Sequence, residues 1–236
     1  MNRRDILRGG LVAGAALAVP GRALAQSLTD EFDKAFAARN AAPPVEAAPL
    51  PAPMPVPAPQ PISAAYRRRV LDVAARESGR LGNVLWRRDL VGVADFAMPS
   101  SQPRLHFANL ESGTVRSFYV AHGRGSDPEH DGWLKLFSNV PGSEATSRGA
   151  YLTCEWYNGK YGTSIRLEGL DQDNSNALER AIVMHPAGYA APEHIARWGK
   201  LGRSEGCFAM APDQFNEALW HLSGGRLLYA DRIGEA

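Results

Sequence analysis

Proline recurs at nearly every second position between residues 43 and 61, with alanine, valine and methionine in between. Because proline has no backbone N–H and a fixed φ, such a segment favours an extended polyproline II chain and cannot build a core. We interpret residues 43–62 as a Pro/Ala-rich linker. The folded domain is therefore predicted to lie in residues 63–236, which are enough to bury a core without disulfides or metals.

The first 25 residues have the pattern of an export signal. Arg3-Arg4 is followed by Ile6-Leu7, as in twin-arginine signals, and a weakly apolar run covers residues 11–19. Ala23-Leu24-Ala25 is a small-x-small cleavage site. The apolar run is too short, and too rich in glycine and alanine, to span a bilayer. We therefore expect export to the periplasm or cell envelope, cleavage after this signal, and no membrane span in the mature chain.

Residues 26–42 are a short segment of their own, between the signal and the linker. Leu28, Phe32 and Phe36 stand at helical spacing within it. The segment could be a docking helix or a loosely held turn near a terminus, and the sequence does not decide between them.

Charge and cysteine content limit the binding partners to expect and the roles that the two cysteines can have. The formal net charge is +1, so no overall field points to nucleic acid or to anionic lipid, and we predict no nucleic-acid partner. The two cysteines are Cys154 and Cys207, and an exported chain meets an oxidising compartment. They could form a disulfide, or Cys154 could be buried while Cys207 is a working thiol. The oligomeric state stays open.

The domain is predicted to begin with a helix from a cap at Ser63 to about Ser78, with Gly79 as its stop. The predicted buried face of this helix is Tyr66, Val70, Val73 and Ala74. From Val84 on, short β-like runs alternate with turns rich in glycine, serine and asparagine. The predicted strands are 90–96, 104–108, 115–121, 149–156, 164–167, 181–185 and 226–230. Two more helices are predicted, at 192–198 and 212–222, so the sequence indicates one mainly-β domain.

One stretch of this domain carries a candidate nucleophile and base. Cys207 follows Gly206, and the apolar run Ile182-Val183-Met184 ends at His185. A free thiol titrates near about 8.5, so attack on a carbonyl needs a base, and His185 is the natural candidate. The backbone N–H groups of Gly206 and Cys207 could stabilise the oxyanion that forms.

Two neighbours of the cysteine could assist. Arg203 could pair with a substrate carboxylate, and Ser204 could orient the loop or the base. Each residue also has an ordinary structural explanation, because a lone cysteine is more often a small buried hydrophobe than a nucleophile. By themselves, the residues indicate only a candidate cysteine acyl-transfer enzyme.

The arrangement His185 … Gly202-Arg203-Ser204-Glu205-Gly206-Cys207 resembles the L,D-transpeptidase (YkuD-type) catalytic domain, in its murein-specific branch. That branch typically reads histidine and then Gly-Arg-Ser-x-Gly-Cys. The resemblance covers roughly Val84 to the end of the chain. Other segments that resemble the branch are Val93-Ala94-Asp95-Phe96, Ala121-His122-Gly123, Phe137-Ser138-Asn139, Tyr157-Asn158-Gly159-Lys160-Tyr161-Gly162, Leu167-Glu168-Gly169-Leu170 and Arg180-Ala181-Ile182-Val183.

The resemblance implies a mainly-β, sandwich-like or barrel-like catalytic fold with a few short helices. It implies an acyltransferase of the cell envelope that acts on peptidoglycan stem peptides and needs no metal or organic cofactor. In that family the cysteine attacks the diaminopimelate–D-Ala bond of a tetrapeptide stem, releases D-Ala, and passes the acyl group to an amine of a second stem, giving a 3-3 crosslink. Here Cys207 would be the nucleophile, His185 the base held by the Pro186 carbonyl, and His122 and Tyr161 would join Arg203 at the substrate.

Three residues depart from the family pattern. Glu205 stands where relatives carry an aromatic residue or a histidine, Phe208 replaces a common proline, and Pro186 replaces a small residue. A carboxylate two positions before a thiol disfavours the thiolate, as any nearby like charge does. Pro186 keeps its carbonyl, so its orienting role is expected to survive.

Other functions stay open at this point. Hydrolysis of the same thioester would make the protein an L,D-carboxypeptidase, and an unreactive Cys207 would leave a peptidoglycan-binding module. A metal hydrolase could use His122, Asp127, His130 and His185, but the chain has no closely spaced ligand motif such as H-E-x-x-H. The acceptor could be another stem, water, or the amine of an envelope protein.

Overall fold

A computed structural model describes residues 62–234, together with Lys34 alone in the segment before them. The predictions for the signal, for the short N-terminal segment and for the linker up to residue 61 therefore lie outside the described residues, Lys34 excepted. Within these residues, no helix combines the length and apolar character that crossing a bilayer requires.

Helix α1 spans Ala64–Arg80 and begins where the sequence predicts. The Ser63 side chain accepts a hydrogen bond from the backbone N–H of Tyr66 at 3.1 Å, which is an N-terminal cap. All four residues of the predicted buried face are buried.

The predicted stop of α1 is wrong, because the helix runs through Gly79 to Arg80. The last turn is anchored by Arg80, whose guanidinium pairs with Glu77 at 2.8 Å and with Asp171 at 2.7 Å. The contact with Glu77 is within the last turn of the helix, and the contact with Asp171 lies across the fold; together they outweigh the local tendency of glycine to end a helix.

Eight strands form one sheet, and seven of them match the predicted strands to within a few residues. The strands are β1 (Leu90–Asp95), β2 (Leu105–Asn109), β3 (Thr114–Phe118), β4 (Gly149–Gly159), β5 (Gly162–Gly169), β6 (Val183–Pro186), β7 (Phe208–Met210) and β8 (Leu227–Asp231). Their order across the sheet is β3-β2-β1-β8-β4-β5-β6-β7. The predicted mainly-β fold, preceded by a helix, is confirmed.

The two edges of the sheet come together just beyond β3. Ala121 bridges Ala209 of β7, and its N–H donates to the Ala209 carbonyl at 2.8 Å. A second bridge joins Gly123 to Ser204. The sheet is therefore nearly closed, and the closing seam lies beside the segment that carries Cys207.

The remaining helices are short and follow the sheet. Helix α2 spans Pro192–Trp198, as predicted, and α3 spans Pro212–His221, one residue shorter than predicted. Phe215 and Ala218 of α3 pack into the main core of the sheet, while α1 covers the opposite face of the sheet at β1, β2 and β8. The core thus fixes β6 and β7 from behind, and those two strands carry the candidate site.

Candidate active site

Two parallel strands bring the candidate nucleophile and base together. In the β6–β7 pairing, Met184 lies opposite Phe208 and His185 lies opposite Ala209. Because side chains alternate along a strand, Val183 and His185 share one face. Cys207 immediately precedes β7 and packs with Val183, so the thiol lies on the same face as the imidazole.

His185 is held in one orientation. Its ring is 1% exposed, and Nδ1 lies 3.0 Å from the Pro186 carbonyl oxygen. A carbonyl can only accept, so Nδ1 carries the proton and the lone pair of the neutral ring is on Nε2. Tyr161 stacks on the imidazole with ring centroids 4.4 Å apart. The orienting role of the Pro186 carbonyl is therefore present in the structure, and the ring has the tautomer that a general base needs.

Cys207 is nearly buried, with 3% of its surface exposed. Its thiol donates to the Ala181 carbonyl at 3.5 Å. Ala181 has a φ of +51°, which is uncommon for a residue other than glycine and is often found near functional sites. A thiol that donates to a carbonyl is protonated, so it must lose this proton before it can act as a nucleophile.

Ser204 organises the turn that leads to the thiol. Its hydroxyl donates to the Cys207 carbonyl at 2.6 Å and accepts from the Gly206 N–H at 3.2 Å. Its backbone N–H donates to the His122 carbonyl at 2.9 Å. The Gly206 N–H is thus engaged within the turn, and its use at an oxyanion stays a prediction that requires this bond to be exchanged.

Only glycine fits at two positions beside this turn. Gly206 has a φ of +111°, and a Cβ there would lie 2.7 Å from the Ala145 carbonyl oxygen. A Cβ on Gly123 would lie 2.2 Å from the Glu144 carbonyl oxygen and 2.7 Å from the Gly206 Cα. The segment around Glu144 therefore packs directly against the turn that holds Cys207.

Arg203 contacts the protein itself. Its guanidinium donates to the backbone carbonyls of Asp127 and Pro128. The side chain therefore fixes the loop opposite the Cys207 turn, and its predicted contact with a substrate carboxylate stays a prediction.

His122 lies in a buried polar network. The ring is 1% exposed; Arg104 donates to Nδ1 at 2.7 Å, and Nε2 donates to the Asp127 carboxylate at 3.3 Å. Burial lowers the pKa of His122 to about 4, so the ring is neutral at physiological pH. Both ring nitrogens are occupied by protein partners, so the structure places His122 beneath the site, and its predicted substrate contact stays a prediction.

The partners of His122 were not predicted as a network. Arg104 is fully buried, and burial lowers its pKa to about 9. Burial works to raise the pKa of Asp127, but hydrogen bonds from His122 and from two backbone N–H groups hold it well below the usual range. Across the part of the chain that the structure describes, no three His, Cys, Asp or Glu side chains are placed to hold a metal ion.

Glu205 is paired with a cation. Its carboxylate lies 3.7 Å from the Arg124 guanidinium, which also forms two hydrogen bonds to Glu144. The positive charge of Arg124 opposes the effect of Glu205 on the nearby thiol. Phe208, another departure from the family, is a core residue whose ring packs edge-on against Tyr151.

Within the described residues, neither Cys154 nor Cys207 forms a disulfide. Burial raises the pKa of Cys154 to about 12, and its thiol donates weakly to the Leu152 carbonyl in its own strand. Cys154 is therefore an unreactive, half-buried residue, while Cys207 stands at the seam of the sheet.

Tyr189 is a site residue that sequence reasoning missed. The Tyr189 ring packs edge-on against the His185 imidazole, with ring centroids 6.5 Å apart. Gly202 lies so close to Tyr189 that a Cβ added at Gly202 would be 2.6 Å from the Tyr189 Cβ. Burial raises the pKa of the Tyr189 phenol, which stays protonated. Its place four residues after His185 was the only available signal, and spacing alone does not indicate that a turn returns to the base.

Sequence comparison identifies the kind of domain that carries this geometry. The sequence model of one family, described as the L,D-transpeptidase catalytic domain, matches residues 67–230. A second model, of the twin-arginine translocation pathway signal sequence, matches residues 1–20. No curated protein matches the chain. The signal and the domain together indicate export to the periplasm or cell envelope.

The solved structures that are similar to this chain include two L,D-transpeptidases. An L,D-transpeptidase from Mycobacterium smegmatis has 14% identity and a TM-score of 0.37, with 61% of this chain and 58% of that chain covered. L,D-transpeptidase 1 from Mycobacterium tuberculosis has 14% identity and a TM-score of 0.34, with 60% of each chain covered. A mutant of the helical cell shape determining protein Pgp2 from Campylobacter jejuni has 13% identity and a TM-score of 0.41, with 74% of this chain and 58% of that chain covered. The match thus spans less than two thirds of each of these proteins.

Proposed function

The chain belongs to the L,D-transpeptidase catalytic-domain family, and on that premise we propose that it is a cysteine-dependent peptidoglycan L,D-transpeptidase. The observation that carries the proposal is the shared face of β6 and β7, on which a thiol and a histidine of fixed tautomer lie two strand positions apart. Its substrates would be the stem peptides of peptidoglycan.

The first half of the reaction forms a thioester. His185 Nε2 takes the proton of Cys207, and Sγ attacks the diaminopimelate carbonyl of a tetrapeptide stem. The tetrahedral oxyanion is stabilised by backbone N–H groups of the turn, among them Gly206 once it releases the Ser204 hydroxyl. The C–N bond to D-Ala then breaks, and His185 returns the proton to the leaving amine.

The second half transfers the acyl group. The side-chain amine of a second stem attacks the thioester carbonyl, and His185 takes the surplus proton from nitrogen. The C–S bond then breaks, and His185 returns this proton to the Cys207 sulfur, which restores the thiol. The product is a direct diaminopimelate–diaminopimelate crosslink. Arg203 and Tyr161 would contact the stem at the mouth of the site, and His122 would act from beneath it.

The test uses purified, reduced protein, disaccharide-tetrapeptide muropeptides, and Cys207→Ala as the control, with products followed by mass spectrometry. Crosslinked dimers formed with loss of D-Ala, and absent from the control, are the expected result. Tripeptides alone would make the protein an L,D-carboxypeptidase. Unchanged muropeptides in both samples would contradict the proposal and leave a peptidoglycan-binding module.

A further inference from the structure

Arg180 is a buried arginine, 5% exposed, for which the reaction above has no role. It lies in the turn 175–181, immediately before Ala181. Its guanidinium donates to four acceptors in one loop, residues 138–147, which we call the roof loop. The acceptors are the Ser138 carbonyl at 2.7 Å, the Ser147 hydroxyl at 2.6 Å, the Ser143 hydroxyl at 3.2 Å and the Ala145 carbonyl.

The roof loop is the same segment that packs against the Cys207 turn. The Ala145 carbonyl, which Arg180 holds, is the group that a Cβ on Gly206 would meet. The Thr146 hydroxyl accepts from the Gly123 N–H at 2.9 Å, and the Glu144 carbonyl accepts from the Gly125 N–H at 3.0 Å. The position of this loop therefore sets the position of the turn.

Arg180 is also linked to the thiol through its own chain neighbour, Ala181. Ala181 offers its carbonyl to the Cys207 thiol and holds a φ of +51° to do so. A non-glycine residue keeps such a conformation only where its surroundings enforce it. The hydrogen bonds of Arg180 fix the chain immediately before this residue.

We propose that Arg180 is a positioning residue that places the Cys207 thiol through the roof loop and through Ala181. It touches no reacting atom. The role bears on turnover only if Cys207 is the nucleophile, so in that respect it rests on the proposed function. The mechanical link from Arg180 to the turn exists with or without turnover.

Lysine cannot replace arginine in this role. The guanidinium presents five N–H donors in a rigid planar fork, which reaches acceptors lying in different directions, whereas an ammonium is a point charge with three donors. With lysine, at least one buried acceptor of the roof loop would lose its partner. The loop would then shift relative to Gly206.

The experiment compares Arg180→Lys with Arg226→Lys. Arg226 is a matched control, because it is 4% exposed and pairs with Asp89 at 2.7 Å through contacts that do not involve the roof loop. Two readouts are taken: kcat and KM for release of D-Ala from muropeptides, and hydrogen exchange at the backbone of residues 204–207.

For Arg180→Lys we expect kcat to fall about tenfold or more with KM nearly unchanged, because misplacing reacting groups costs rate without costing substrate contacts. We expect faster exchange at residues 204–207. Arg226→Lys is expected to lower stability and to leave both readouts near the parent values. Ser143→Ala and Ser147→Ala, which each remove one acceptor, are expected to give smaller losses of the same kind and replace Arg180→Lys if that variant does not fold.

The proposal is overturned if kcat is unchanged, if KM rises instead, or if exchange increases in the roof loop while residues 204–207 keep the parent rate. Parent protein without turnover would defeat the proposed function alone. Hydrogen exchange at residues 204–207 would then decide whether Arg180 positions the turn.

Discussion

Two histidines, His122 and His185, are buried to the same extent, each 1% exposed, yet they are prepared for different tasks. His122 has a protein partner on each ring nitrogen, Arg104 on one and Asp127 on the other, and burial lowers the pKa of the ring so that it stays neutral. His185 has a carbonyl on Nδ1 and two aromatic rings beside it, and in the proposed reaction its Nε2 takes the proton of Cys207. Burial therefore does not distinguish the two rings. They differ in the partners of their ring nitrogens, and a general base needs one ring nitrogen that can accept a proton.

The largest expected effect comes from His185. In His185→Ala the thiol loses its general base, and D-Ala release should fall by about a thousandfold while the protein keeps its fold. The measurement is the initial rate of D-Ala release from muropeptides. A variant that kept more than about a tenth of the parent rate would show that another group accepts the thiol proton.

His122→Ala should act on stability instead. Removing the ring leaves the buried Arg104 and Asp127 without their shared partner, at a cost on the order of 3 kcal/mol. Urea unfolding measures the loss. His194→Ala, which removes one hydrogen bond to the Lys200 carbonyl in a half-buried place, should cost less than about 1.5 kcal/mol. If His122→Ala kept its stability and lost turnover, His122 would belong with His185 at the substrate.

The pH dependence of stability should reflect the buried histidines. Burial lowers the pKa of both His122 and His106 to about 4, against about 6.5 in an unfolded chain. Between these values the unfolded state binds protons that the folded state does not, so stability is full above about pH 6.5 and falls as pH falls toward 4. We expect a loss on the order of 3 kcal/mol per histidine over this window. The measurement is the free energy of unfolding as a function of pH. His106→Gln should make this free energy less dependent on pH between 4 and 6.5. If the variant showed the same pH dependence as the parent, His106 would not be one of the groups responsible.

The smallest effect concerns the ring that stacks on His185. Tyr161→Ala removes the stacking partner and should lower kcat about tenfold, because the imidazole gains rotational freedom. Tyr161→Phe keeps the ring and should stay within about twofold of the parent. If the two variants behaved alike, the phenol hydroxyl, and not the stack, would be the group that matters, as the predicted substrate contact implies.

The strands and the main helices could be predicted because their signals are local. Alternating or continuous apolar runs gave seven of the eight strands, and Pro192 and Pro212 mark the starts of α2 and α3. Strand β7 was missed because Phe208–Met210 is only three residues long and follows directly on the Cys207 turn. Its place in the sheet depends on β6 and on the distant Ala121.

The candidate site divides in the same way. Cys207 and His185 could be named from residue type, spacing and family resemblance. The contacts of Arg104 and Arg180 could not, because their partners lie in loops whose positions only the closed sheet determines. An arginine in a β-rich sequence is ordinarily a surface residue, and nothing in its neighbourhood along the chain indicated burial.

The Arg124 guanidinium, which pairs with both Glu144 and Glu205, lies in a solvent-exposed part of this site. The side chains of Arg124 and Glu205 are 49% and 30% exposed, whereas the Arg104–His122–Asp127 network is buried. Dissolved ions screen exposed charges and barely reach buried ones. The ionic strength of the envelope fluid would therefore weaken the hold of Arg124 on Glu205 and adjust the field at the thiol, while the support beneath it stays constant.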